Sequence, residues 1–269
     1  MKRALGITDA FGRLLGAAAA PFFALTTKLR RARTFHPRGD LLEATVTVDP
    51  SVPADARAIA ERLAGPAVVR LSSALSKHRA QAFDVLGCAL RFGGYAGDQD
   101  LLLATIKRPW SLGFAPLTTK TRDYLANDYF GVSPFTLRSD TRGGEARGYF
   151  RLRAERGGRG GATTHANPNA NANANEVRRE RGAARDSRMA RRKILASDVR
   201  AGAVLVLEVA PGPRGPFAPL VRIRLDALLD ADRPELRFDP FRASRGIAPR
   251  GLVHGLRRSV YPASHRARQ

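Results

Sequence analysis

Three stretches of this chain hold residue types that can do chemistry. Near the end, residues 257–268 read Arg-Arg-Ser-Val-Tyr-Pro-Ala-Ser-His-Arg-Ala-Arg. If the residues leading into Tyr261 are helical, Arg257 and Tyr261 stand at i and i+4 on one helix face. A free tyrosine titrates near ~10 and is neutral at pH 7. A guanidinium fixed beside it favours the phenolate, a hard anionic ligand able to hold ferric iron. In an arginine-rich chain the same spacing also describes a basic helix with one interfacial tyrosine. Near the head, Arg33-Thr34-Phe35-His36-Pro37-Arg38-Gly39 puts a histidine, which can exchange a proton near neutral pH, just ahead of a strand pattern. The third stretch is Ala67-Val68-Val69-Arg70-Leu71-Ser72-Ser73, an apolar strand with a cation inside it. A buried charge is costly unless paired, so Arg70 needs an anionic partner, in the plain case a carboxylate.

The elements that must position these groups are mostly strands. After His36, Ala44, Val46 and Val48 alternate with Thr45 and Thr47, the period of a half-buried strand. A short helix is expected over Pro53–Leu63, with Ser51 as its cap and Gly65-Pro66 as its stop. Strands follow at 67–74, 84–92 and 98–104, with a turn at Gly93–Gly97. Further strands are expected at 149–153, 201–209 and 220–225, with 211–216 as a loop and a last helix near the end. Between them Trp110, Phe114, Tyr124, Tyr129, Phe130 and Phe135 are expected to pack in the core. Roughly seven or eight short strands with few helices suit an antiparallel barrel.

Taken in order, these strings resemble the haem catalase superfamily. The last one resembles the segment of haem catalases that carries the proximal tyrosine, where Arg, Tyr, Pro, His and Arg recur at this spacing. Arg33 and His36 match an arginine that binds a haem propionate and the distal histidine, although Phe35 replaces a smaller aliphatic residue. Arg70 and Ser72 match an R-F-S string whose arginine faces a propionate and whose serine lies near that histidine. Asp84–Phe92 looks like the family's D-x-x-G-F-A-x-K-F strand, with Cys88 in place of an aromatic, and residues 98–104 resemble the D-L-V-G-N stretch that follows. There the chain departs from the pattern: Ala104 stands where the distal asparagine is expected, and alanine cannot hydrogen-bond a peroxide oxygen.

The resemblance covers about residues 33–106 and 236–268 and implies a small member of the superfamily: β-dominated α+β, a catalase-type antiparallel β-barrel with short flanking helices. It implies haem b, with Tyr261 on the iron, Arg257 keeping it ionised, Arg33, Arg70 and Arg268 on the propionates, and His265 nearby. His36, Ser72 and the substituted position Ala104 form the implied distal side. The implied activity is haem-dependent cleavage of hydrogen peroxide or organic hydroperoxides, with an organic reductant as second partner. The alternatives are a haem enzyme that rearranges fatty-acid hydroperoxides and, in a different class, a basic nucleic-acid-binding module.

Composition bounds the rest. With 269 residues the chain can bury one large core or two small ones, and its single cysteine excludes an intrachain disulfide. The net charge of +22 comes mostly from arginine and raises nucleic acid or an anionic membrane surface as partners. Residues 1–32 form an arm: Met1-Lys2-Arg3 is basic and residues 14–27 are uncharged. That run is short of the ~18 residues of a membrane span, is interrupted by Pro21, and is followed by no small-x-small cleavage site. The arm is expected to pack on the body or touch a membrane surface, and the location to be cytoplasmic or peripheral. Residues 33–269 form the barrel domain, broken at 156–187 by Arg-Gly and Asn-Ala repeats that cannot bury enough apolar surface to order themselves. Arg-Gly segments can bind RNA; here the segment is read as an insertion in a hairpin loop, with no specific nucleic acid expected and a homo-oligomer allowed. The sequence carries no P-loop, no Cys-x-x-Cys, no His-Glu-x-x-His and no Gly-x-Ser-x-Gly.

Overall fold

Strand-period alternation dominates what the chain builds. A computed structural model describes residues 38–73, 84–107, 115–138, 144–155, 187–230, 233 and 236–251. The expectations for the arm 1–32, for Arg33 and His36, for Trp110 and Phe114, for 156–186, and for Arg257, Tyr261, His265 and Arg268 lie outside the described residues. In chain order the elements are β1 (Arg38–Val48), α1 (Arg57–Leu63), β2 (Gly65–Ser73), β3 (Leu86–Phe92), β4 (Gln99–Ala104), α2 (Ala115–Thr118) and β5 (Tyr129–Phe130). They continue with β6 (Phe135–Arg138), β7 (Glu145–Ala154), α3 (Ser187–Arg200), β8 (Val204–Ala210), β9 (Ala218–Leu228) and β10 (Ile247–Pro249).

Eight strands close on themselves in the order β1-β2-β3-β4-β5-β7-β8-β9, with β9 returning to β1, all antiparallel. Closure removes the exposed edges that an open sheet would present. Strand β7 serves two partners: Tyr149–Ala154 pair with β8, while residues 145–148 pair with β6, which in turn carries β10. The expected β-dominated antiparallel barrel with short helices is what forms.

Each strand sends one set of side chains inward. From β1 these are Leu42, Ala44 and Val46; from β9, Val221, Ile223 and Leu225. They join a single apolar cluster that also takes Tyr124, Tyr129 and Phe135, as the sequence led one to expect of those aromatics. Phe150 of β7 is buried there, edge-on to Phe135 with ring centres 5.2 Å apart and planes at 72°. Cys88 is also inside, and burial pushes its thiol far up, so it stays protonated and inert.

Three expectations are corrected. Ser51 does not cap α1; its Oγ and N–H both donate to Asp49 Oδ1, at 2.6 and 2.9 Å, because the aspartate closes a local turn first. The helix therefore starts at Arg57, after Ala56, with no side-chain cap. And a helix that the strand pattern did not lead one to expect, α3, occupies Ser187–Arg200 ahead of β8. Among the described residues no helix is long and apolar enough to cross a membrane.

Replacing Phe150 with Ala removes its ring from the barrel interior and its edge contact with Phe135. The expected cost is ~3–5 kcal/mol, read as a lower urea midpoint at unchanged slope. A loss under ~1 kcal/mol would mean the interior is not closely packed.

Candidate functional site

The barrel wall is not uniform. On β9 burial alternates, and its outward side chains Arg222, Arg224 and Asp226 are charged. On β2, by contrast, every residue from Ala67 to Ser73 is buried, and β3 and β4 are buried almost throughout. A strand buried on both sides has its outer face covered as well as its inner one. The outer face of β2–β4, together with β1 from Gly39 to Leu42, is thus covered, whereas Glu43 and Thr47 further along β1 are exposed.

Register fixes what that face carries. Directly opposed residues in an antiparallel pair share a face. One row runs Gly39, Ser72, Gly87, Ala104 across the four strands. The next runs Leu41, Arg70, Ala89, Leu102, and the third Glu43, Val68, Arg91, Asp100. Their chain neighbours Val69, Leu71, Leu86, Cys88 and Leu103 all point into the barrel core. The first row contains nothing larger than serine, so it is a flat floor. At ~4.8 Å between strands it is ~15 Å wide.

Arg70, Ser72 and Ala104 are brought together on this floor. Arg70 is 5% exposed, and its guanidinium lies over Gly39. A β-carbon added at Gly39 would stand 2.6 Å from Arg70 Cζ and 2.8 Å from Nη2. Glycine is needed there by space and not by backbone angle. Ser72 Oγ donates to the Gly87 carbonyl at 3.3 Å. Ala104 packs with Val85 and Ala115 of α2 at the floor's far edge. The remaining candidates, Arg33, His36, Arg257, Tyr261, His265 and Arg268, lie outside the described residues. Gly39 was quoted in the His36 string but given no role; only the register with β2 reveals one.

The third row anchors the returning chain. Asp100, 1% exposed, accepts from Arg91 Nε and Nη2 at 2.8 and 2.9 Å and from the Asp239 N–H at 2.8 Å. Arg91 also donates to the Arg237 carbonyl and lies over the Phe238 ring, 5.0 Å from its centre. Beside it Gln99 Nε2 donates to the Arg242 carbonyl at 3.1 Å, and the Arg245 N–H donates to Gln99 Oε1 at 3.2 Å. Arg245 Nε reaches Asp98 at 2.6 Å, and this hydrogen bond holds the Asp98 carboxyl below its usual range. The β3–β4 turn permits the approach: Gly93 has φ +92°, and a β-carbon there would stand 2.5 Å from Arg245 Nη2. Residues 236–249 are thereby strapped along the floor's lower margin, where Leu236 packs with Leu41 and Val68. An adjoining cleft of about 510 Å3 is lined by Arg91, Tyr95, Arg233, Leu236, Arg237 and Arg242. Its Arg91 and Arg242 face Asp100, and Arg233 lies over the Tyr95 ring. The sequence shows the two ends of this strap, Asp98-Gln99-Asp100 and Phe238-Asp239-Pro240, but nothing in it says that they meet.

No family model matches the chain, and no curated protein matches its sequence. Among solved structures, the crystal structure of a fungal catalase superposes with a TM-score of 0.58 at 13% sequence identity, covering 88% of this chain and 59% of that one. The fold is catalase-like. At such identity the likeness concerns the fold, and this chain spans 59% of that catalase's length. Within the catalase-like barrel, the outer face of β1–β4 is the surface on which Arg70, Ser72 and Ala104 converge.

The close fit of Arg70 over Gly39 makes an energetic prediction. Gly39→Ala should destabilise the fold by ~1–3 kcal/mol, since the guanidinium must leave a packed position. In a Gly39→Ala, Arg70→Ala double-mutant cycle the two costs should fall short of additivity by ~1 kcal/mol. Strict additivity in urea melts would show that the two residues do not touch.

Proposed function

We propose that this chain is a haem-dependent peroxidase related to catalases, and that the outer face of β1–β4 is the floor of its haem pocket. The observation that carries the proposal is the first row, Gly39-Ser72-Gly87-Ala104, with a buried arginine beside it. A flat aromatic macrocycle needs a surface without projecting side chains, and its carboxylates need buried cations. Both requirements are met by the residues present. The catalase-like fold supports the same assignment.

In this proposal Arg70 holds a propionate, its planar fork suiting a carboxylate. Arg33 and Arg268 act with it, and His265 lies close by. Tyr261 would hold the iron through its phenol oxygen, and Arg257 would favour the ionised form of that phenol by direct charge attraction. When bound, the haem supplies a Lewis-acidic, redox-active iron at which a peroxide O–O bond can be broken. His36 would take a proton from the peroxide and later give it back, base first and acid second. Ser72 is fixed toward the Gly87 carbonyl, which makes it a spacer of known orientation in the floor. Ala104 offers no donor, so a second hydrogen peroxide is poorly oriented and an organic reductant competes well. The substrates are accordingly hydrogen peroxide or organic hydroperoxides together with an organic reductant.

The test is a comparison on one haemin-loaded preparation of oxygen release from hydrogen peroxide with oxidation of a phenolic dye. Dye oxidation should dominate. Ala104→Asn should raise oxygen release ~10-fold or more, the worth of one oriented hydrogen bond of ~1.5 kcal/mol. Brisk oxygen release without dye turnover from the unaltered protein defeats the reading of Ala104; no turnover of either kind defeats the whole proposal.

A further inference from the structure

The cleft of about 510 Å3 beside the third row is lined, among the described residues, by four arginines together with Tyr95 and Leu236. That volume takes a ligand of one or two rings. Not all four cations are open to it. Arg91 is spent, with Nε and Nη2 on Asp100 and Nη1 donating to the Tyr95 carbonyl at 3.3 Å. Arg233 lies over the Tyr95 ring, 4.9 Å from its centre. Arg242 donates Nη1 to the Gly97 carbonyl at 2.7 Å and holds Nε 3.7 Å from Asp100, which leaves its Nη2 without an acceptor among the described residues. The Arg237 side chain is exposed and pairs with no described residue.

The described carboxylates around the cleft have other partners. Asp100 holds Arg91, and Asp98 holds Arg245. Glu43 accepts from the Tyr95 hydroxyl at 3.1 Å, and Asp239 Oδ1 accepts the Phe241 N–H at 2.9 Å. Two guanidinium groups are therefore placed to take a ligand, with Tyr95 and Leu236 as its apolar wall. A guanidinium grips a carboxylate through paired N–H donors and also stacks on aromatic rings. The lining thus suits a planar aromatic acid over a neutral or cationic ring. The cleft is also close to the flat floor: Arg91 stands four residues along β3 from Gly87, roughly 13 Å.

We propose that the cleft binds a phenolic aromatic carboxylate, with its carboxylate on Arg237 and Arg242 and its ring against Tyr95 and Leu236. Resting on the peroxidase reading above, this ligand is the organic reductant. Two molecules each give up one electron and the phenolic proton and leave as phenoxyl radicals. The hydroperoxide takes both electrons and both protons and leaves as an alcohol and water, or as two waters from hydrogen peroxide.

The test first measures, by equilibrium dialysis at constant ionic strength, how the full haem-free chain binds para-hydroxycinnamate and its neutral methyl ester. Saturable binding of one acid per chain is expected, with the ester about 10-fold weaker or worse. Arg237→Gln should weaken the acid about 10-fold and leave the ester unchanged. Arg214→Gln, an equal loss of charge on the 211–216 loop, should change neither. Equal affinity for acid and ester, or equal loss in the two variants, overturns the site. So does binding that appears only with Asp232→Asn and Glu235→Gln, since those acids, outside the described residues, would then fill the cleft. The same proteins are then loaded with haemin and given hydrogen peroxide. Arg237→Gln should raise KM for the acid about 10-fold at unchanged kcat. Turnover with equal KM in both proteins refutes the reductant role alone. Binding to the haem-free chain with no turnover after loading refutes that role together with the peroxidase reading.

Discussion

The buried carboxylate of Asp100 is the central contact through which the barrel holds residues 236–249. It lies on the third row of the outer face, receives both arms of the Arg91 fork, and accepts the Asp239 backbone N–H on Oδ2, the oxygen that also takes Arg91 Nη2. Removing one partner of such a pair strands the other charge in the protein interior, at a cost of ~3–5 kcal/mol. The segment from 236 to 249 is thereby fixed along one margin of the floor before it reaches β6 through β10. Everything proposed for the site requires the chain to pass there, because the tyrosine, histidine and arginine of the last string follow directly after it.

Barrel closure and the covered outer face work together. Pairing of β7 with β8 satisfies the edges and encloses one apolar core, leaving the wall's outside free to differ from strand to strand. Across β7 and β8 the outer face is spent on charge pairing, with Glu208 held between Arg151 at 2.5 Å and Arg153 at 2.9 Å. Across β1–β4 it is spent on small residues, on buried Arg70 and on the buried Arg91–Asp100 pair. The same barrel thus pairs charges across one part of its outer face and covers another part with small side chains, and the division follows from side-chain size and charge at matched register positions.

Much of this was readable before any coordinates. Strict alternation in β1 and β9, the turn at Gly93–Gly97 and the loop at 211–216 all left period or turn chemistry in the sequence. Helix α3 did not, because its inward face spends one position on Arg191 and its first residues continue an arginine-rich run. Strands β5, β6 and β10, of 2, 4 and 3 residues, are too short to show a period. The role of Gly39 needed the register of β1 on β2, and the Asp100–Asp239 contact spans 139 positions, a distance at which no local pattern can speak. The burial of Arg70 in a strand was legible for the opposite reason: a cation in an apolar strand is conspicuous wherever it occurs.

The central claim, that a tyrosinate-ligated haem sits on the β1–β4 floor, is tested most directly by titrating the purified chain with haemin and following the absorption spectrum. The account predicts one equivalent bound with a ferric phenolate charge-transfer band, lost in Tyr261→Phe, and weaker binding in Arg70→Ala. A chain that remains colourless, or one whose spectrum is the same with Phe at 261, would contradict it.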